Sequence, residues 1–270
     1  MEQKYGLFGL IGIPLGHSWS ADYFNDKFKK EGLPNKEYRL FPLTSLDKFP
    51  ALIRNYPQLA GLNVTIPYKE KIIPYLDEMD ETAQQIGAVN TIKIIRKNGM
   101  NWTKGFNTDA DGFYLTLKDQ VKYDNALIIG NGGASKAVAF ALKKLGVRYT
   151  FVSRTKRGPD IIPYIELTID IIKHNELIIN TTPLGMYPDI DQLPQIPYLG
   201  LTPDHLCYDL IYNPEETGFI KQGKAMNSRT MNGKQMLLNQ AELAYEIFMT
   251  QEGFTASHPD HYPSPPQLSS

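Results

Sequence analysis

The segment from Asn125 to Val152 does most to limit the folds open to this chain. Asn125 to Gly130 (NALIIG) is a nearly unbroken apolar run, the pattern of a strand covered on both faces in a parallel sheet. It runs directly into Gly130-Asn131-Gly132-Gly133-Ala134-Ser135, then a helical pattern from Lys136 to Leu145, with Gly146 to end it and a strand from Arg148 to Val152. Strand, glycine loop, helix and strand in about thirty residues is the setting that gives a glycine fingerprint its meaning. There the glycines admit a pyrophosphate, and the helix N-terminus offers unpaired N–H donors and a favourable dipole. Ser135 stands where the pattern has its last glycine, so the loop by itself leaves a plain glycine-rich turn open.

The residues after the second strand narrow the reading. An NAD-preferring unit carries Asp or Glu about 20 residues on, to accept from a ribose hydroxyl. Here the sequence is Ser153-Arg154-Thr155-Lys156-Arg157, all cations and hydroxyl donors, which suits a 2′-phosphate and favours NADP. Two more apolar runs, Glu176 to Asn180 and Leu206 to Ile211, end in Thr181-Thr182-Pro183-Leu184-Gly185-Met186 and Tyr212-Asn213-Pro214. Both should end at the same edge of a parallel sheet, where ligands bind in open α/β folds.

Composition removes several classes. A chain of 270 residues with formal net charge −1 has no electrostatic footprint for nucleic acid or an anionic membrane. Cys207 is the only cysteine, which excludes an internal disulfide and a cysteine-rich metal site, and no metal is expected. No apolar run approaches the ~20 residues that span a bilayer, and Gly6 to Gly16 lacks a signal-peptide cleavage site. The expectation is a cytoplasmic protein.

The part before Ala110 alternates strands and helices. Strands are predicted at Tyr5 to Ile13, Tyr38 to Leu40, Gly87 to Arg96 and Trp102 to Phe106, with a turn at Asn98-Gly99. Helices are predicted at Ala21 to Glu31, Leu46 to Tyr56, Lys71 to Leu76 and Glu81 to Ile86. Its least generic stretch is Leu62 to Glu70 (LNVTIPYKE). Asn63 and Thr65 project from one face of an extended strand, and Pro67 suits the first turn of a following helix that would carry Lys69. These residues serve either as turn and cap residues or as a site for a hydroxyl-rich ligand with one proton to move. Ser18 and Ser20 precede a helix that one of them could cap, and Asn90 and Asn107-Thr108-Asp109 sit at strand ends. A further helix is predicted at Asp111 to Leu117. The final helix, from Gly233, places Met236, Leu237, Gln240, Leu243, Ala244, Ile247 and Phe248 on one stripe. Gln240 on that face needs either a backbone partner or a ligand hydroxyl.

The motifs GHSWS, NVTIPYK, GAVNT, NTD, GNGGAS, SRT and GKQMLLNQA, in this order and over nearly the whole chain, resemble one family, the shikimate dehydrogenases with their quinate/shikimate relatives. The resemblance implies two α/β domains. A substrate domain, 1–109 plus 233–253, is completed by the C-terminal helix, and a Rossmann-type NADP-binding domain, 110–232, is inserted between; the tail at 254–270, outside the resemblance, has four prolines and no periodicity and is expected to be disordered. It implies NADPH-linked, reversible reduction of 3-dehydroshikimate to shikimate, with Lys69 and Asp109 as the acid-base pair. Ser18, Ser20, Asn63, Thr65, Asn90, Asp109 and Gln240 would contact the substrate, and Gly130, Asn131, Gly132, Gly133 and Ala134 the pyrophosphate. Ser153, Arg154, Thr155 and Arg157 would hold the 2′-phosphate; Leu210, Tyr212 and Gly233 would border nicotinamide and substrate. The partner is then a small molecule, and the assembly a monomer or homodimer. A quinate/shikimate dehydrogenase preferring NAD and a non-catalytic nucleotide-binding regulator stay open. A methylene-tetrahydrofolate dehydrogenase is disfavoured by the two serines and the NTD motif.

Overall fold

The structure is a computed structural model and describes residues 6–16, 18–97, 99–119, 123–154 and 158–250. The chain divides into two compact units, Met1–Thr108 with Ala241–Ser270, and Asp109–Gln240.

The first unit contains β1 (Gly6–Gly12), α1 (Trp19–Lys30), β2 (Lys36–Pro42), α2 (Phe49–Asn55), β3 (Leu59–Val64), β4 (Glu78–Met79), α3 (Glu81–Ile86), β5 (Thr91–Lys97) and β6 (Met100–Phe106). Its strands form one sheet in the order β2-β1-β3-β5-β6-β4. The first three run parallel, and β5 runs antiparallel to both of its neighbours. Every residue of β1 is buried, because apolar layers cover both faces. Leu7, Ile11, Leu62, Val64, Ile72 and Val89 lie in one layer, and Phe8, Leu10, Phe24, Phe28 and Phe248 in the other. Phe24 and Phe28 are four apart on α1 and so share its inner face, each contributing about 1.5–3 kcal/mol of burial. Phe24 stacks on Tyr38, ring centroids 4.5 Å apart.

The helix α4 (Thr108–Leu117) leads into the second unit, which contains β7 (Asn125–Ile129), α5 (Gly133–Lys144), β8 (Arg148–Ser153), β9 (Ile161–Pro163), α6 (Ile169–Lys173), β10 (Leu177–Asn180), β11 (Leu206–Asp209), α7 (Gly218–Ala225) and β12 (Arg229–Met231). The sheet order is β12-β11-β10-β7-β8-β9, and every pairing is parallel. β7 and β10 are neighbours although β8 and β9 lie between them in sequence, so the chain winds outward from β7 in both directions. That reversal is the Rossmann order, and it opens a crevice beyond the carboxyl ends of β7 and β10. The apolar strands fit two covering layers, with Ile128, Ile179, Val138 and Tyr208 in one and Leu127, Ile178, Phe219 and Cys207 in the other. The helix α8 (Lys234–Met249) starts in the second unit and ends in the first. In the first unit the carbonyls of Ile247 and Phe248 in its last turn, and of Thr250 just beyond it, accept from Lys93 Nζ at 2.9, 2.6 and 2.9 Å. A cation thereby satisfies a helix C-terminus.

The α/β class expected from the sequence is observed, and several local expectations are corrected. No helix starts at Pro67: Tyr68 N–H bonds the Thr65 carbonyl at 2.9 Å, and Lys69 lies in turns. The Lys69 carbonyl, which a helix would offer to Ile73, is taken by Val89 N–H at 2.7 Å. Between Lys71 and Leu76 only a 3-10 turn forms, Ile73–Tyr75, because Pro74 has no N–H to continue a helix. Leu46 to Tyr56 splits into a 3-10 turn, Leu46–Lys48, and α2. α4 begins at Thr108, not Asp111, since Asn90 Oδ1 accepts from the Thr108 N–H at 2.7 Å and caps it. The 254–270 tail, Tyr5, Asn98, Thr155, Lys156 and Arg157 lie outside the described residues.

Candidate active site

In the first unit, Asn63, Thr65 and Asn90 come together where β1 and β3 end and β5 begins. Backbone bonds bring these ends together: Thr65 N–H to the Ile11 carbonyl, Val64 N–H to Asn90, and Asn90 N–H to Phe106, at 2.9, 2.8 and 3.0 Å. Asn63 is buried at the penultimate position of β3. Its Oδ1 accepts from the Tyr38 hydroxyl at 2.8 Å, and its Nδ2 donates to Thr91 Oγ1 at 3.1 Å and the Asn90 carbonyl at 3.4 Å. Asn90, 2% exposed, donates from Nδ2 to Thr108 Oγ1 at 2.9 Å while its Oδ1 caps α4. Asn107 Nδ2 donates to the Ala88 carbonyl at 2.9 Å. Burial drives the Tyr38 phenol far above its ordinary pKa, so it stays a neutral donor to Asn63.

This buried network fixes the end of β3, next to Thr65. Ser18, Ser20, Thr65 and Lys69 are all partly exposed. Ser18 is the N-cap of α1, its Oγ accepting from the Ser20 N–H at 3.3 Å. Its hydroxyl hydrogen is not needed for the cap, so capping and donation to a ligand are compatible. Trp19, bulky between the two serines, stacks on Tyr23 one turn along α1, with centroids 4.2 Å apart. Lys69 is held by the bond from Val89 to its carbonyl and by its neighbour Tyr68, whose hydroxyl donates to the Leu43 carbonyl at 2.6 Å. Half-buried hydroxyls at Ser18, Ser20 and Thr65 and the Lys69 amine are chemistry suited to an oxygen-rich ligand.

In the second unit the glycine loop lies at the crevice between β7 and β10. Gly130 has φ +116°, and a Cβ there would fall 2.5 Å from Thr181 Oγ1, so only glycine fits. Ser135, the departure from the glycine pattern, is buried, and its Oγ lies 2.6 Å from Thr181 Oγ1, which also donates to the Ile129 carbonyl at 2.7 Å. A hydroxyl pair has replaced the bare helix–strand contact a glycine would allow. Gly132 caps α5 with extended backbone, no side-chain cap bond, and nothing within 4 Å of its would-be Cβ. No acidic residue occupies the first turn of α5. Uncapped amides, open space and a helix dipole fit a pyrophosphate. Ser153 closes β8 and is buried, while Arg154 is exposed beside it. Asp109 is 5% exposed in the first turn of α4. Leu210 and Tyr212 are half-buried after β11, and Gly233 packs on Leu210. Gln240 donates from Nε2 to the Leu237 carbonyl at 2.9 Å, the backbone-partner reading of its amide nitrogen. Sequence reasoning passed over Tyr38, Asn180 and Asp209. The last two could have been noticed as polar residues closing all-apolar strands. Among the described residues, no group of three or more His, Cys, Asp or Glu could hold a metal, and no helix is long and apolar enough to cross a membrane.

Two α/β units, the second with Rossmann strand order and a glycine-opened helix at its switch point, define a two-domain α/β protein of the dinucleotide-binding class. A family model for the "Shikimate dehydrogenase substrate binding domain" matches residues 10–92. A shikimate dehydrogenase (NADP(+)) of Desulforamulus reducens is 37% identical, over 94% of this chain and 92% of the relative. The structure of shikimate 5-dehydrogenase from Thermus thermophilus in complex with NADP(H) and shikimate matches with TM-score 0.78 and 30% identity, over 90% of this chain and 93% of that one. Quinate dehydrogenase from Corynebacterium glutamicum in complex with NAD matches with TM-score 0.78 and 28% identity, over 90% and 93%. The chain belongs to the shikimate dehydrogenase family.

Proposed function

We propose that the chain catalyses the reversible, NADPH-linked reduction of 3-dehydroshikimate to shikimate. The observation that carries this is similarity to an NADP-linked shikimate dehydrogenase over 94% of the chain, which takes in both units. Residues 1–109 with 233–253 bind substrate and 110–232 bind the cofactor; a first unit that takes the chain back at its C-terminal end supports a split of this kind, although the contacts divide after Thr108 and after Gln240, which leaves Asp109 and 233–240 with the second unit. Shikimate is held by Ser18, Ser20, Asn63, Thr65, Asn90, Tyr212 and Gln240. NADP is held by Gly130, Asn131, Gly132, Gly133 and Ala134 at the pyrophosphate, by Ser153, Arg154, Thr155 and Arg157 at the 2′-phosphate, and by Leu210 and Gly233 at the nicotinamide. When bound, the cofactor supplies or accepts the hydride.

The protein's part is to fix the ring and move one proton. In reduction the Lys69 ammonium donates a hydrogen bond to the substrate ketone, stabilises the developing alkoxide and gives up its proton. Asp109 is the second member of the proposed acid-base pair, taking part in proton release when the reaction runs as an oxidation. The protein acts in the cytoplasm as a monomer or homodimer.

Adding shikimate and NADP to the purified protein and following NADPH absorbance tests this reading. Higher kcat/KM with quinate and NAD would move the chain to the quinate branch, which the similarity to the Corynebacterium enzyme makes a specific rival. NADPH binding without turnover would make it a regulator.

Ser18 separates binding from folding. Glycine is nearly as good an N-cap as serine, so Ser18→Gly should melt close to the wild type while KM for shikimate rises about 10-fold, the loss of one hydrogen bond to a charged group. An unchanged KM returns Ser18 to capping alone.

A further inference from the structure

The carboxyl edge of the second sheet carries a hydrogen-bonded belt that the proton transfer does not use. Its centre is Asp209, the last residue of β11, which is fully buried. Oδ1 accepts from Asn180 Nδ2 and from the Ile211 N–H, each at 3.0 Å, and Oδ2 accepts from the Thr217 hydroxyl at 2.6 Å. Asn180 extends the belt, its Oδ1 accepting from the Thr182 hydroxyl at 2.7 Å and the Thr182 N–H at 3.0 Å. Thr217 in turn caps α7, accepting from the Ile220 N–H at 3.3 Å. One side chain therefore sets how two segments leave the sheet, the one from Asn180 to Thr182 and the one from Leu210 to Thr217. The first adjoins Thr181, which braces the glycine loop; the second carries Leu210 and Tyr212.

We infer that Asp209 is a positioning residue for the dinucleotide: without touching it, the carboxylate holds both segments in the arrangement the nicotinamide half requires. This rests on the reading of the chain as an NADP enzyme. An ionised carboxylate is acceptor-only and satisfies all of its donors at once, whereas a protonated one must donate and leaves a donor unpaired. Burial pushes its pKa up to about 6, with the bonds from Thr217, Ile211 and Asn180 pulling the other way. Tyr198, which feels the Asp209 charge, packs with Tyr164 and Cys207 in the same layer. Burial lifts Tyr164 and Cys207 to about 12 and Tyr198 higher still, so Asp209 is the member of this group that changes charge between pH 5 and 8.

The experiment compares Asp209→Asn, which keeps the shape but cannot accept at both atoms, with the wild type. At pH 8, KM for NADP and the Kd for NADPH by fluorescence should rise about 10-fold or more, the effect of one bond to a charged acceptor, while KM for shikimate stays within about two-fold. The variant-to-wild-type ratio should shrink towards unity as the pH falls through about 6, where the wild type loses its own carboxylate; a ratio cancels any titration of the cofactor. A general loss of structure would move both KM values and leave the ratio flat. If Asp209→Asn does not fold, Thr182→Val, which removes one link of the belt, should raise the NADPH Kd in the same selective way. A folded Asp209→Asn or Thr182→Val with wild-type NADPH affinity overturns the inference and leaves the function standing. A wild type that binds no NADPH overturns both.

Discussion

Lys69→Ala is expected to lower kcat at least ~100-fold with a modest change in KM for shikimate, the size general-acid loss commonly has. The turn that carries Lys69 is held by backbone bonds, Tyr68 N–H to Thr65 and Val89 N–H to the Lys69 carbonyl, and by the buried Tyr68 ring. Alanine keeps every one of these. Lys69 is half-buried, so its stem contributes packing of at most ~1 kcal/mol, too little to unfold the unit. Steady-state kinetics beside a melting curve decides the matter: a kcat near the wild-type value in a normally folded variant removes Lys69 from the chemistry. Lys69→Arg would sharpen the reading, since a guanidinium keeps the charge but holds its proton too tightly to donate it.

Much of this was legible in the sequence, because the informative features are local. An all-apolar run feeding a glycine loop reads as strand, turn and helix wherever it sits, and β7 and α5 follow that reading within a few residues. The stretch around Lys69 was legible in content and misread in form. Its helix potential is cancelled by Val89, whose N–H takes the carbonyl a helix needs, and a partner so distant in sequence leaves no trace in a local pattern. The same holds for Asp209. An aspartate closing a strand looks like a turn residue until Thr217 and Asn180 are seen to converge on it. Short elements such as α6 (IDIIK) and β12 (RTM) span too few residues to show a period. Ser135 shows the opposite case, a departure from pattern that the structure explains through its hydroxyl contact with Thr181.

Gly233→Ala is expected to be the most damaging small substitution in the second unit. An alanine Cβ would lie 2.5 Å from the Leu210 carbonyl carbon and closer still to its oxygen, so backbone must move. The segment has little freedom to do so. Gly233 N–H bonds the Ile211 carbonyl at 3.0 Å, and the Gly233 carbonyl accepts from Leu237 N–H at 2.9 Å as α8 begins. Either the segment after β11 or the start of α8 must shift, and overpacking against backbone of this kind costs about 3 kcal/mol. The melting temperature should fall by roughly 10 °C. Leu210 and Tyr212 move with the displaced segment, so NADPH affinity should fall as well. Gly132→Ala supplies the contrast. Nothing lies within 4 Å of that Cβ and the backbone there is extended, so stability should change by less than about 0.5 kcal/mol. Its methyl group would nonetheless stand where the pyrophosphate must approach the α5 amides, and NADPH affinity should drop at least ~10-fold at an unchanged melting temperature. If Gly132→Ala binds NADPH normally, the pyrophosphate does not sit on this loop. If Gly233→Ala melts like the wild type, the segment after β11 yields more freely than its bonds to Asp209 and Gly233 imply.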